Sequence, residues 1–305
     1  MTTDTKAIDL ARTQLSVSDR VRSFFSRSRG DSPFRRLWIN FILICACVIA
    51  IYPALRVFTI SLRPGDKLFS TSLDIIPADA TLLNYSRLFT DKNFAVWIWN
   101  SLLVTVFVSV LGVAMAATSA YAFSRFRFRG RNISLLFLLT TQMIPAGMLL
   151  IPIYLFLARI GLLDTYKGIL LAYVVSSIPF SIWILKGYYD TVPIDLEEAA
   201  MIDGASRLGT FIRIILPLST PALAIVFLFN FMQSWQEFPV AYQVVQRKEL
   251  LWTWTLGIKA MQGQFQTEWG MYAAASFLIM IPVLALFLYS AKWLISGLTL
   301  GSVKG

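Results

Sequence analysis

The chain has 305 residues, 57% of them hydrophobic and 14% charged, with a mean hydropathy of +0.66 and a formal net charge of +10. Soluble domains run at about 45–50% apolar and about 25% charged, so an ordinary globular, fibrous or disordered chain is excluded and a polytopic membrane protein is expected. The absence of histidine excludes a Ser-His-Asp triad and any histidine-ligated metal, and Cys45 and Cys47 are too close for an ordinary disulfide and too few for a metal cage. No cofactor or metal is expected.

Residues 1–36 are polar and carry eight Lys or Arg side chains. They read as a flexible cytoplasmic basic arm lying against the anionic headgroups of the lipid bilayer, where each base contributes about 1 kcal/mol. They do not read as a cleaved secretory signal, because the first apolar run begins too late and runs too long. Six windows free of Asp, Glu, Lys and Arg follow, predicting spans at about 37–60, 94–124, 132–158, 168–186, 214–236 and 269–292. About 20 apolar residues cross a hydrocarbon core, and only a helix or closed barrel satisfies its backbone there. The alternation that marks a barrel strand is missing, so the expected fold is an all-α membrane protein with six transmembrane helices.

Lys and Arg set the direction. One side holds 17 of them, including the arm and the run Arg125, Arg127, Arg129, Arg131; the other side holds nine. That bias predicts both termini in the cytoplasm and a multi-pass protein of the bacterial inner membrane. Because the positive charge flanks apolar spans, with no recognition helix or RNA-binding aromatic motif beside it, no nucleic-acid partner is expected. Prolines recur within the windows at Pro53, Pro145, Pro152, Pro179, Pro217, Pro221 and Pro282. Each removes a backbone donor, which suits either irregular packing or hinged helices around a path.

The cytoplasmic segment 187–213 departs from this pattern. It contains five acids, Asp190, Asp195, Glu197, Glu198 and Asp203, on the side that should be positive. Asp195-Leu-Glu-Glu198 has nearly a capping-box spacing, which predicts a helix beginning near Asp195 with Asp195 as its cap. Gly204 is the expected stop, and a second helix is expected from about Ser206 into the fifth span at Ile214. Alone, such a segment would also suit a solvated amphipathic connector.

The residues Glu198-Ala199-Ala200-Met-Ile-Asp203-Gly204-Ala205, followed by Phe211, Ile214, Leu216-Pro217 and Pro221, resemble the EAA loop of ABC importer permeases. Tyr121-Ala-Phe-Ser-Arg125-Phe-Arg-Phe-Arg-Gly130 resembles that family's stretch at the end of the second span, and Lys186-Gly-Tyr-Tyr precedes the loop as in sugar permeases. Ile60-Ser-Leu-Arg63 and the end from Trp293 to Gly305 are similar to carbohydrate permeases of the MalG type, which handle maltose and maltodextrin. The likeness covers the chain from about residue 37 and leaves the arm unexplained.

The resemblance implies a type I importer (MetI-like) permease fold with a cytoplasmic coupling helix. It also implies that the chain is a transport subunit rather than an enzyme, with ATP hydrolysed by a partner; the chain has no P-loop motif of its own. The implied partners are two copies of an ABC ATPase, a second, MalF-type permease and an extracytoplasmic sugar-binding protein. By the same resemblance Glu198, Ala199, Ala200, Asp203, Gly204, Ala205, Leu216 and Pro217 would form the ATPase-coupling site. Glu198 would face a basic groove residue or hold the loop's fold, Asp203 would support the turn, and Pro217 would mark the exit to the fifth span. Lys304 and Gly305 would reach between the ATPases. In the outer loop 237–268, Gln262, Gly263, Gln264 and Phe265 would form a tip that enters the binding protein. Another sugar, such as trehalose, would suit the same fold. An ion-coupled transporter is disfavoured by the lack of mid-span charge.

Overall fold

A computed structural model describes residues 33–64, 76–263 and 267–300, with side chains from Phe34 to Trp293. The chain divides into two compact units, Met1–Thr59 and Ile60–Gly305. The first is described through helix α1 (Pro33–Ser61), which begins four residues before the expected span. It is apolar all round, with Ile42, Leu43, Ile44, Val48 and Ile49 distributed about its circumference, a pattern that suits a helix solvated by lipid.

The second unit is helical throughout, with no strand among the described residues. In order it holds α2 (Leu83–Thr90), α3 (Phe94–Arg125), α4 (Arg131–Gln142), α5 (Ala146–Arg159), α6 (Tyr166–Tyr189) and α7 (Asp195–Ile202). Then come α8 (Arg207–Leu218), α9 (Thr220–Gln236), α10 (Pro239–Val245), α11 (Trp254–Met261) and α12 (Trp269–Leu300). Helix α8 contains a π-helical turn over Phe211–Ile215.

Four helices, α1, α3, α6 and α12, are long and apolar enough to cross a membrane, and the number is six if each of two bent pairs is one span. The third and fifth windows were expected as single helices, and both are broken. Helices α4 and α5 meet at 102°. Pro145 caps α5 and bars the residue before it from the helical region, which explains that corner. Helices α8 and α9 meet at 76° about Ser219, with Pro221 in the first turn of α9. The run expected to continue as one helix through Ile214 is thus interrupted at Ser219, and a new helix starts at Thr220. Pro53, Pro152, Pro179 and Pro282 lie inside continuous helices.

Helix α3 is the hub, packing most extensively on α6 and then on α9. Its interface is built from small residues, with Ala116, Ala117 and Ala120 buried, which is how helices approach closely where lipid removes the usual hydrophobic drive. A polar seam crosses this core. Ser181 Oγ donates to Ser177 O at 2.7 Å and lies 3.0 Å from Asn230 Oδ1. Gly112 is needed there, since a Cβ would stand 2.7 Å from Ser177 Oγ and 3.1 Å from Asn230 Nδ2.

Residues 237–263 fold as a cap over the ends of α3 and α6. Glu237 accepts from the backbone N–H groups of Val240 and Ala241 at the start of α10, and Tyr173 donates its hydroxyl to the same carboxylate. Asn100 Nδ2 donates to the carbonyls of Leu250 and Trp252 at 2.9 Å, fixing the chain between α10 and α11 to α3. Ala241, Val244 and Val245 are fully buried.

Candidate functional site

The segment between α6 and α9 folds as a helical hairpin. Helix α7 begins at Asp195, and Asp195, Glu197 and Glu198 all fall in its first turn, where negative charge favours the helix dipole. The capping residue differs from the expectation. Ile194 occupies the cap and no side chain bonds there, because Asp195 is already helical. At the other end Ala205 N bonds Ala200 O at 2.9 Å and Gly204 N bonds Met201 O at 3.1 Å. With Gly204 at φ +88°, this is a Schellman stop that uses glycine's access to the left-handed region. The turn is closed by backbone bonds, and no Asp203 side-chain hydrogen bond is found among the described residues. Ser206 then caps α8 by accepting from Gly209 N at 3.1 Å.

Within this hairpin Glu198 and Ala199 are exposed and Ala200 and Ala205 are half-buried. Glu198 does not hold the loop's fold. That work falls to its neighbour Glu197, the buried residue of α7. Its Oε1 accepts from Arg125 Nε at 2.5 Å and its Oε2 accepts from the Tyr121 hydroxyl at 2.7 Å. The Arg125 and Glu197 side chains are 8% and 7% exposed. Arg125 also donates from Nη2 to Val192 O at 2.9 Å and from Nη1 to Ser124 Oγ at 3.1 Å, so one guanidinium binds the approach to α7 as well as α7 itself.

Aromatic contacts extend the cluster. The Tyr121 ring lies 6.3 Å from Tyr189, the last residue of α6, and 5.9 Å from Phe126, over which the Arg207 guanidinium sits at 5.5 Å. Beside the cluster, Asp190 accepts from Lys186 and from Ser124 Oγ. Burial raises the pKa of Asp190, but these two hydrogen bonds outweigh it and hold the carboxyl below its usual range.

The outer face of the hairpin is apolar and has no partner among the described residues. Ile202 is 85% exposed, and Ile194, Leu208 and Ile212 are each more than half exposed. Leu216 is half-buried and Pro217 exposed, two residues before the corner at Ser219. Sequence reasoning missed Tyr121, Arg125 and Glu197 as a unit, although the charge ending α3 and the acid beside Glu198 were both legible.

Gln262 and Gly263 are exposed after α11, and Gln262 bonds Lys259 Nζ at 3.0 Å and Tyr272 Oη at 3.1 Å. Gln264 and Phe265, the tail residues Lys304 and Gly305, and residues 1–32 of the arm lie outside the described residues.

Residues 108–299 match the family of binding-protein-dependent transport system inner membrane components. A maltose/maltodextrin transport system permease protein of Yersinia pestis is 36% identical, covering 89% of this chain and 94% of that protein. A diacetylchitobiose uptake system permease protein of Streptomyces coelicolor is 33% identical, covering 90% and 99%. Among solved structures, a bacterial ABC transporter involved in the import of the acidic polysaccharide alginate matches with a TM-score of 0.72 at 25% identity, covering 87% of this chain and 99% of that one. The chain thus belongs to the family of binding-protein-dependent transport system inner membrane components. It is a permease subunit of the ABC importer class and not an enzyme.

Proposed function

We propose that this chain is one half of the translocation path of an ATP-driven importer of maltose and maltodextrin. The observation that carries the reading is the α7–α8 hairpin, a rigidly stopped helix with an exposed Glu198-Ala199 edge and an apolar outer face. It suits docking into a groove of a cytoplasmic ATPase, with small side chains allowing close approach. Closure of two ATPases on ATP would move this hairpin and its counterpart on a second, MalF-type permease, switching the path between inward and outward access. With six spans and both termini cytoplasmic, the hairpin would lie on the ATPase side. The tip Gln262–Phe265 would then meet an extracytoplasmic sugar-binding protein, and Lys304 and Gly305 would reach between the ATPases.

The test is co-purification of the chain in detergent, followed by uptake of labelled maltose, maltotriose and trehalose by the reconstituted complex. Recovery of an ATPase and a second permease with maltodextrin uptake supports the proposal; purification of the chain alone overturns it. A second cargo is favoured by the diacetylchitobiose relative. Uptake of that disaccharide in place of maltodextrins would keep the mechanism and change the substrate.

A further inference from the structure

Helix α7 has eight residues. A helix that short is marginal by itself, and most helices in proteins are held by an apolar face. Helix α7 buries no such face: its one buried residue is Glu197, Ala200 and Met201 are only half-buried, and Leu196 and Ile202 are exposed. What fixes it is a directional charge pair that ends on α3. A buried ion pair is a weak source of stability, but its geometry is specific and loss of one partner strands the other.

We propose that Arg125 and Tyr121 are positioning residues that lock α7 to the end of α3, so that displacement of the coupling helix enters the membrane through α3 and not only along the chain through α8 and α9. Three facts converge on this. Arg125 is the last residue of α3 and grips both Glu197 and the Val192 carbonyl, before and within the hairpin. Tyr121, one turn earlier, holds the second oxygen of the same carboxylate. Helix α3 is also the element most extensively packed in the core, against α6 and α9, so motion delivered to it reaches the whole unit. The chain link between α7 and α8, by contrast, is a glycine turn held by backbone hydrogen bonds at an exposed site.

This inference rests on the coupling role proposed above, and the experiment separates the two. Spin labels at Asp195 on α7 and Met115 on α3, both exposed, report the distance between the helices in the assembled importer with and without ATP. The expected result is a distance that stays within about 2 Å while uptake proceeds, and that broadens in Arg125→Gln. In proteoliposomes, Arg125→Gln and Glu197→Gln should each lower sugar uptake per ATP hydrolysed about tenfold, with Arg125→Lys recovering part of it. The double variant Arg125→Gln/Glu197→Gln should cost no more than either single change, because the stranded charge is gone. If no ATPase joins the wild-type chain, the coupling role itself fails. If the ATPase joins but the wild-type distance changes by more than a helix diameter's fraction on ATP binding, or Arg125→Gln keeps normal uptake per ATP, the lock to α3 is overturned while the coupling role stands.

Discussion

The rings of Tyr121 and Phe211 lie 4.7 Å apart, joining the last turn of α3 to the π-helical turn of α8. Phe211 is buried among Ala120, Tyr189 and Ile215. Phe211→Ala is expected to lower stability by about 3–5 kcal/mol, because it leaves a cavity under Tyr121. Tyr121→Phe keeps the ring and removes only the hydroxyl bond to Glu197, at a cost of about 1–3 kcal/mol. Thermal unfolding of the two purified variants in detergent checks the order.

Glu198→Lys is expected to leave the protein folded and in the membrane, since Glu198 is exposed and bonds no other side chain among the described residues. Its effect should fall on uptake alone. Gly204→Asp adds a backbone cost of about 1–2 kcal/mol at φ +88°, so it should misplace the hairpin as well. Uptake and ATP hydrolysis measured together on membranes of each variant decide the matter; normal uptake in both would remove the coupling role.

Gly112→Val is expected to force α3 away from α6 and α9, because even a Cβ would stand 2.7 Å from Ser177 Oγ. Overpacking of that kind costs about 1–3 kcal/mol, and Gly112→Ala should be milder. Pairing Gly112→Ala with Ser177→Gly should recover stability, which a melting series of the single and double variants would show.

Asp190 sets a pH dependence. Its folded pKa is lowered, so the stabilisation is present above the unfolded value of about 4 and lost as pH falls through the folded value. No change is expected between pH 6 and pH 8. The pair with Lys186 is partly solvent-exposed, so the loss at acid pH should stay below about 1 kcal/mol. Melting temperatures of the wild type and Asp190→Asn from pH 3 to pH 7 should converge at the acid end.

The positions of the apolar helices were legible because lipid leaves one solution for a charge-free run of 20 residues. The hairpin's start at Asp195 and its stop at Gly204 were legible too, since acid in a first turn and glycine past a last turn act locally. The corners at Pro145 and Ser219 were not. Proline also sits unbroken inside α1, α5, α6 and α12, so whether it bends a helix depends on neighbours that sequence spacing does not contain. The bond between Arg125 and Glu197 joins positions 72 residues apart, and the eye was drawn to the exposed Glu198 of the motif in place of the buried acid beside it. The folded cap between α9 and α12 was hidden for a similar reason, because Asn100 and Tyr173 reach it from other helices.

Only Ser219 separates α8 from α9, and its backbone N–H is already shared between the carbonyls of Ile215 and Leu216. The residue is fully buried, so no loop slackens the angle. If the hairpin couples as proposed, such an elbow would work as a crank: a shove on the short arm would arrive at the long arm as rotation.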